Sequence, residues 1–437
     1  MKRLALLVCL LLFLVQDTTF AGDLTIPPTV LRKQGETEEI EPRKLILPYA
    51  FATETLGVAG GVGAGASAWP RQQASLFGIV MGTTNSSWAT YLIGTSMQIP
   101  GGRRWFLDTS ISVGWFTQQR LYVDGNPDFP AGGSGSNDSD PENFIEGEGW
   151  HNWLNLNFKY VLPTGTAREQ AIQEFVLDQG LPVADTPRPG RWNPLRSGRT
   201  LLQLEPFYFY RTLDPEEDPS GGQRGSSGGM SVSVLYDNRD FSPNPTAGSA
   251  TTLRVAHGVG ISDGSQSWTN LRGKYSKYLS LGRTRRIRQQ VLAFNAWTAY
   301  TPGWADELES QLEYDDRPPP SMGSSLGGYL RLRGYPLYRF QDAAAVYYGV
   351  EYRVIPLWNP LGNISWLRWL NIDWWQFVPF IEAGRVAGEW DLQKLHTDMK
   401  LDAGVGLRLM AALVVVRADV AYSEEGWHIW AMVGQAF

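Results

Sequence analysis

Cysteine is almost absent from this 437-residue chain, whose single example is Cys9. Disulfides and cysteine-ligated metals are therefore excluded as the source of its stability. Long apolar runs are missing as well. Beyond Ala21 the longest is LMAALVVV, Leu409 to Val416, far short of the roughly 20 residues a spanning helix needs, so an α-helical membrane protein is excluded. Basic charge is not in excess: 38 Lys and Arg stand against 44 Asp and Glu, a net charge of −6, and no nucleic-acid partner is expected. Histidine is scarce. His151, His257, His396 and His428 are scattered, with no H-E-x-x-H and no nearby ligand set, so neither a metal nor a cofactor is expected. No repeat of solenoid or blade length is found.

What is present begins with MKRLALLVCLLLFLVQDTTFAGD. Two basic residues, an apolar run from Leu4 to Val15 and a small-residue exit at Ala21 read as a secretory signal peptide, with the mature chain expected to start at Gly22. Val8 before Cys9 is too bulky for a lipoprotein cleavage site. Aromatic residues make up 12% of the chain, with 18 Trp and 47 Gly. That combination suits rings anchored at two water–lipid interfaces.

Period-two segments fill the rest. In VYYGVEYRV, Val346, Tyr348, Val350, Tyr352 and Val354 share one face, and Tyr347, Gly349, Glu351 and Arg353 the other. KLDAGVGLRL, VVVRADVAY and WTNLRGKYSKYL split the same way, with charge repeatedly in the second phase. Soluble sandwiches and propellers also alternate, but the leader, the aromatic load and a final WHIWAMVGQAF ending on Phe437 favour an all-β transmembrane antiparallel barrel. The first strand is expected over 49–67 and the last over 427–437. About fifteen segments can be placed, and because such barrels have even counts, a sixteenth is expected between Gly101 and Gly198. Loops are marked at Asp124 to Gly149, Leu213 to Gly229 and Asp315 to Gly328. A further connection, Pro163 to Gly198, carries Ala171, Ile172, Phe175 and Val176 at helical spacing, which predicts a short helix. Residues Gly22 to Lys44 read as a short periplasmic arm ahead of a barrel over residues 45–437.

One late stretch, GGYLRLRGYP, sets two arginines among glycines and tyrosines. Gly327, Gly328, Leu332, Arg333, Gly334 and Tyr335 resemble the sixth-extracellular-loop signature of the BamA/TamA (Omp85-type) superfamily of outer-membrane protein-insertion and two-partner-secretion barrels. The following strands resemble its motifs in order: GVEYR (Gly349 to Arg353), FIEAG (Phe380 to Gly384, with Glu382 for the usual Asp) and GVGLR (Gly404 to Arg408). Upstream, Asp237, Arg239 and Asp240 in YDNRDFSPNPTAG resemble its periplasmic turn, and GQAF its ending, read by the barrel-assembly machinery through Phe437. The resemblance is specific over residues 236–437 and loose over residues 45–235. It implies a sixteen-strand barrel with loop 6 folded into the lumen.

An arginine carried inward needs a carboxylate to offset desolvation, and the expected partner of Arg333 is Glu382, taken bidentately, with Glu351 or Asp402 as a second. Small residues from Leu56 to Trp69 are expected to weaken the closing seam near the first strand, which Gly61 and Val433 would flank. The substrate-receiving domains of the family are not read ahead of the barrel, so a separate periplasmic accessory protein is expected. The expected function is a non-enzymatic translocation or insertion barrel for protein or lipid, set among outer-membrane lipids and lipopolysaccharide. The alternatives are a passive diffusion channel and, behind it, a barrel enzyme on lipids. The Gly57 to Gly65 run lacks the Lys-Ser/Thr of a phosphate loop. The G-x-S-x-G matches at Gly225 and Gly323 sit in Gly/Ser-rich loops, and the acidic loop Asn137 to Gly149 has no EF-hand pattern.

Overall fold

The computed structural model describes residues 26–36, 40–53, 57–183, 189–215, 223–261, 267–304, 317–361, 364 and 370–437. The expected leader lies outside the described residues. In chain order the strands are β1 (Thr29–Lys33), β2 (Arg43–Thr53), β3 (Gly57–Ser67), β4 (Ser75–Thr83), β5 (Trp88–Gln98), β6 (Trp105–Leu121), β7 (Ile145–Val161), β8 (Gln173–Asp178), β9 (Leu181–Pro182), β10 (Arg199–Pro215) and β11 (Gln223–Asp237). They continue as β12 (Gly248–Gly260), β13 (Trp268–Gly282), β14 (Ile287–Tyr300), β15 (Ser324–Leu326), β16 (Phe340–Asp342), β17 (Ala344–Pro356), β18 (Ile372–Ala387), β19 (Lys400–Ala411), β20 (Val414–Ser423) and β21 (Gly426–Val433).

Sixteen of these form one antiparallel sheet in chain order, from β2 to β21, while β1, β8 and β9 make a small sheet and β15 pairs with β16. Among the described residues no ladder joins β2 to β21. The large sheet is inverted relative to a water-soluble one. Leu253, Tyr275, Ile381 and Leu401 are exposed, whereas Arg254, Arg272, Glu351, Arg408 and Asp419 are buried. Burying charge on one face and exposing aliphatics on the other is stable only where the outer solvent is hydrocarbon. The phases are those of the sequence pattern: Tyr348 is exposed on β17, while Tyr347, Glu351 and Arg353 are buried.

The sheet is curled around its polar face. Arg339, between β15 and β17, donates to the Glu425 carboxylate in the β20–β21 turn at 3.0 Å, and its guanidinium lies over the Tyr122 ring, one residue past β6, at 4.9 Å. β6 and β20 are ten places apart in the strand order, which in a flat sheet would separate them by about 48 Å. One side chain touching both requires the sheet to close most of the way round.

Several expectations are corrected. The expected first strand over 49–67 is two strands, β2 and β3, paired in register from Arg43↔Ser67 to Thr53↔Gly57. The connection, Glu54 to Leu56, lies outside the described residues and carries no Gly, Pro, Asn or Asp to mark it. The sixteenth strand is found here and not between Gly101 and Gly198. The glycine-rich segment is consequently β3, second in the sheet, so Gly61 does not flank the seam. The expected helix is replaced by β8, preceded by a single 3-10 turn at Gly165–Ala167. Phe175 and Leu177, two apart, are the buried residues there, and period two prevails because β1 supplies a strand partner while Phe241, Ile355 and Trp374 supply a core. The final strand stops at Val433. Exposure ends at Ile429, and the last residues turn inward to bury Phe437 against Tyr278, Val291 and Ala293.

Candidate functional site

The segment from Pro319 to Asp342 lies on the polar face of the sheet. Its path is set by close approaches: Gly327 and Gly328 have φ of +101° and +99°, and a Cβ on Gly327 would sit 2.2 Å from the Pro336 carbonyl oxygen. Only glycine fits such a turn. Leu332, which precedes the key arginine, is itself at φ +52° and fully buried beside Tyr335, Phe340 and Tyr347. Tyr335 packs edge-on to Phe340 at 5.1 Å and donates its hydroxyl to the Leu401 carbonyl at 3.2 Å.

Arg333 is completely buried. Its backbone N–H donates to Glu382 Oε2 at 2.7 Å and its Nε to Glu382 Oε1 at 3.0 Å. Nη2 lies 3.0 Å from Glu382 Oε1 and 3.0 Å from Glu351 Oε1, and Nη1 lies 2.8 Å from Asp419 Oδ2. The plane of the guanidinium covers the Phe380 ring at 3.4 Å. Three carboxylates from β17, β18 and β20 therefore converge on one cation. Asp402, expected as a second partner of the guanidinium, instead accepts from the Gly334 N–H at 2.8 Å. The Gly334 carbonyl accepts from Ser423, and the Arg333 carbonyl from the Trp430 indole at 2.7 Å. The hairpin is thus held through main chain as well as side chain.

Around this centre the wall is cross-linked by charge. Glu351 also meets Arg353 at 2.7 Å and Arg408 at 2.9 Å, and Asp419 meets Arg417 at 2.5 Å and Arg408 at 3.4 Å. Tyr347 donates to Glu382 at 2.5 Å. Glu351, Glu382 and Asp419 each face a guanidinium, so these three and their arginines form an internal ion lattice. Asp419, Tyr347 and the wall arginines were not singled out by sequence as partners. Arg417 and Asp419 alternate in the inward phase of VVVRADVAY, which was the available signal.

The turn residues stand apart from this cluster. Asp237 takes Arg239 in a fork, Nε at 2.9 Å and Nη2 at 2.9 Å, while Asp240 accepts from the Phe241 N–H and the Thr246 N–H at 2.9 Å each. They rigidify the β11–β12 connection and touch none of the Arg333 partners. Phe437 joins the lattice from the other side. Its carbonyl accepts from Arg353 at 3.3 Å, and its ring lies under that guanidinium at 5.1 Å.

The mouth at the end where β2 begins and β21 ends is also occupied. β1, from the arm, adds in parallel to β8 from Thr29↔Gln173 to Lys33↔Leu177. Lys33 pairs with Asp373 at 3.2 Å, Arg199 donates to the Pro28 carbonyl at 2.9 Å, and Trp374 donates to the Gly180 carbonyl at 3.1 Å. The described part of the arm, residues 26–36, is therefore built into the fold through β1.

No curated protein matches this chain. Among solved structures, CdiB from Acinetobacter baumannii is 13% identical with a TM-score of 0.50, covering 90% of this chain and 59% of its own. CdiB from Escherichia coli is 10% identical with a TM-score of 0.50, covering 90% and 61%. BamA from Haemophilus ducreyi lacking POTRA domains 1-3 is 12% identical with a TM-score of 0.47, covering 90% and 70%. The chain thus spans about three-fifths of the length of the two CdiB chains, and at these identities the likeness is one of fold. Residues 203–426, just over half of the sequence and including the Arg333 hairpin with all three of its carboxylates, match the Omp85 superfamily domain. The chain belongs to the Omp85 superfamily and is a bacterial outer-membrane β-barrel.

Proposed function

We propose that this barrel is a translocation or insertion device for protein or lipid and not a passive channel or an enzyme, and that it works with a separate periplasmic accessory protein. The observation that carries the reading is the buried lock on Arg333. A diffusion channel gains nothing from a hairpin bound into its lumen by three carboxylates, whereas a device that opens on demand needs its resting pore obstructed. The β1–β8–β9 sheet at the opposite mouth adds a second obstruction. Surrounding lipids and lipopolysaccharide are the medium, and the C-terminal segment ending at Phe437 is the part offered to the barrel-assembly machinery.

Planar-bilayer recording tests this reading. The intact chain is expected to show small, infrequent conductance that rises severalfold when residues 327–339 are deleted. A large steady conductance from the intact chain would support the porin reading instead, and turnover of phospholipid by the purified chain would support the enzyme.

A further inference from the structure

We propose that the β13–β14 turn and the adjoining end of β17 form a binding site for the phosphate headgroup of an anionic phospholipid in the periplasmic leaflet. The turn reads GRTRRIR, and Arg283, Arg285 and Arg286 are all exposed. None of the three has a carboxylate partner among the described residues, unlike the arginines inside the barrel. Four arginines within six residues, Arg283 to Arg288, repel one another unless an anion lies among them. Arg288 alone is turned to the mouth, where it donates to the Asp178 carbonyl at 3.1 Å.

The turn is fixed beside an aromatic platform. The Leu357 N–H donates to the Arg286 carbonyl at 2.9 Å, which ties the arginines to the first residues after β17. Trp358, 67% exposed, meets Trp375 edge-on at 6.3 Å, and the Trp375 indole donates to the Trp358 carbonyl at 2.8 Å. Leu279 and Leu281 on β13 and Leu357 are exposed directly alongside. Exposed leucines and paired indoles mark the depth of a membrane–water boundary, and guanidiniums immediately beyond them sit where lipid phosphates lie. Guanidinium suits phosphate bidentately. This rim also bears the start of β2 and the end of β21, because sixteen alternating strands return the chain to the side where it entered, and in outer-membrane barrels that is the periplasmic side.

The test is native mass spectrometry of the full-length chain in detergent, offered phosphatidylglycerol and phosphatidylcholine of identical acyl chains. The wild type is expected to retain phosphatidylglycerol about tenfold better, and the preference is expected to weaken as salt is raised. R283Q/R285Q/R286Q is expected to bring the two lipids to parity while keeping the heat-modifiable mobility of a folded barrel, and R283K/R285K/R286K to retain most of the preference. Should the glutamine variant fail to fold, R283Q/R285Q is compared in the same way, and an undiminished preference in that folded variant would equally overturn the proposal. Equal retention of both lipids by the wild type, or an undiminished preference in the folded glutamine variant, would overturn the proposal. Inorganic phosphate displacing phosphatidylglycerol at equal concentration would assign the site to a soluble anion and overturn the lipid.

Discussion

Arg333 is where one side chain decides most. Removing it leaves three carboxylates in a dry interior, and they are not equally orphaned. Glu351 keeps Arg353 and Arg408, and Asp419 keeps Arg408 and Arg417, but Glu382 keeps no guanidinium among the described residues. Arg333→Ala is therefore expected to cost about 3–5 kcal/mol, the usual penalty for breaking a buried pair. Adding Glu382→Ala should recover more of that loss than adding Glu351→Ala or Asp419→Ala. Midpoints of the heat-modifiable mobility shift measure the series, and equal recovery from all three would contradict the assignment. Arg333→Lys is expected to lose most of the lock as well, since an ammonium cannot reach three carboxylates in one plane. The Arg333 and Glu382 pair was legible in sequence because an inward acid stood in a recognisable strand. Asp419 was not, because nothing in the linear order says that β20 lies against the same face of the hairpin as β18.

At the scale of elements, the clearest case is Pro163 to Gly198. Helical spacing of Ala171, Ile172, Phe175 and Val176 competed with the shorter alternation of QEFVLD, and the partner strand decided between them. Such a partner lies about 140 residues away and is invisible to a local window. Nitroxides or cysteines at Thr29 and Gln173, in a chain otherwise free of cysteine past Cys9, provide the check. The cysteine pair should form a disulfide under oxidation, and failure to do so would remove β1 from β8. The docking should also be pH-dependent through Glu36. Burial alone would raise its carboxyl, but the Lys33 N–H and the Arg43 guanidinium outweigh burial and hold it below its ordinary value. A depressed carboxyl contributes stability above the unfolded value and loses it as pH falls through the folded one. Dipolar broadening between the two labels is therefore expected to be full at neutral pH and to fade below the usual carboxylate range, and Glu36→Gln should weaken it at neutral pH.

At the scale of the whole molecule, Arg339 is the bridge between the early and late parts of the sheet. Besides Glu425 it donates to Ser139 Oγ at 2.7 Å, which joins the long β6–β7 connection to the β20–β21 turn. Arg339→Ala is expected to leave the strand content unchanged by circular dichroism while raising bilayer conductance, because the hairpin loses its outer tether but keeps the Arg333 lock. A collapse of strand signal would mean instead that the bridge is needed to close the sheet. Phe437 belongs to this scale too. Alternation of Trp427 and Ile429 suggested one strand to the end, yet the last residues leave the sheet to reach Tyr278 and Arg353, contacts set by the diameter of the barrel.

By itself the sequence determined the alternation of lipid-facing and inward residues and the inward arginine, because each rests on local period or on a short motif, whereas it placed about fifteen strands and only the pairing of β2 with β3 completed the sixteen. The tertiary structure alone decided which carboxylates meet on Arg333, that the arm becomes a strand, and that the exposed arginines of the β13–β14 turn sit beside two tryptophans. Those outcomes depend on the curvature of sixteen strands, which brings together residues that no neighbouring sequence relates.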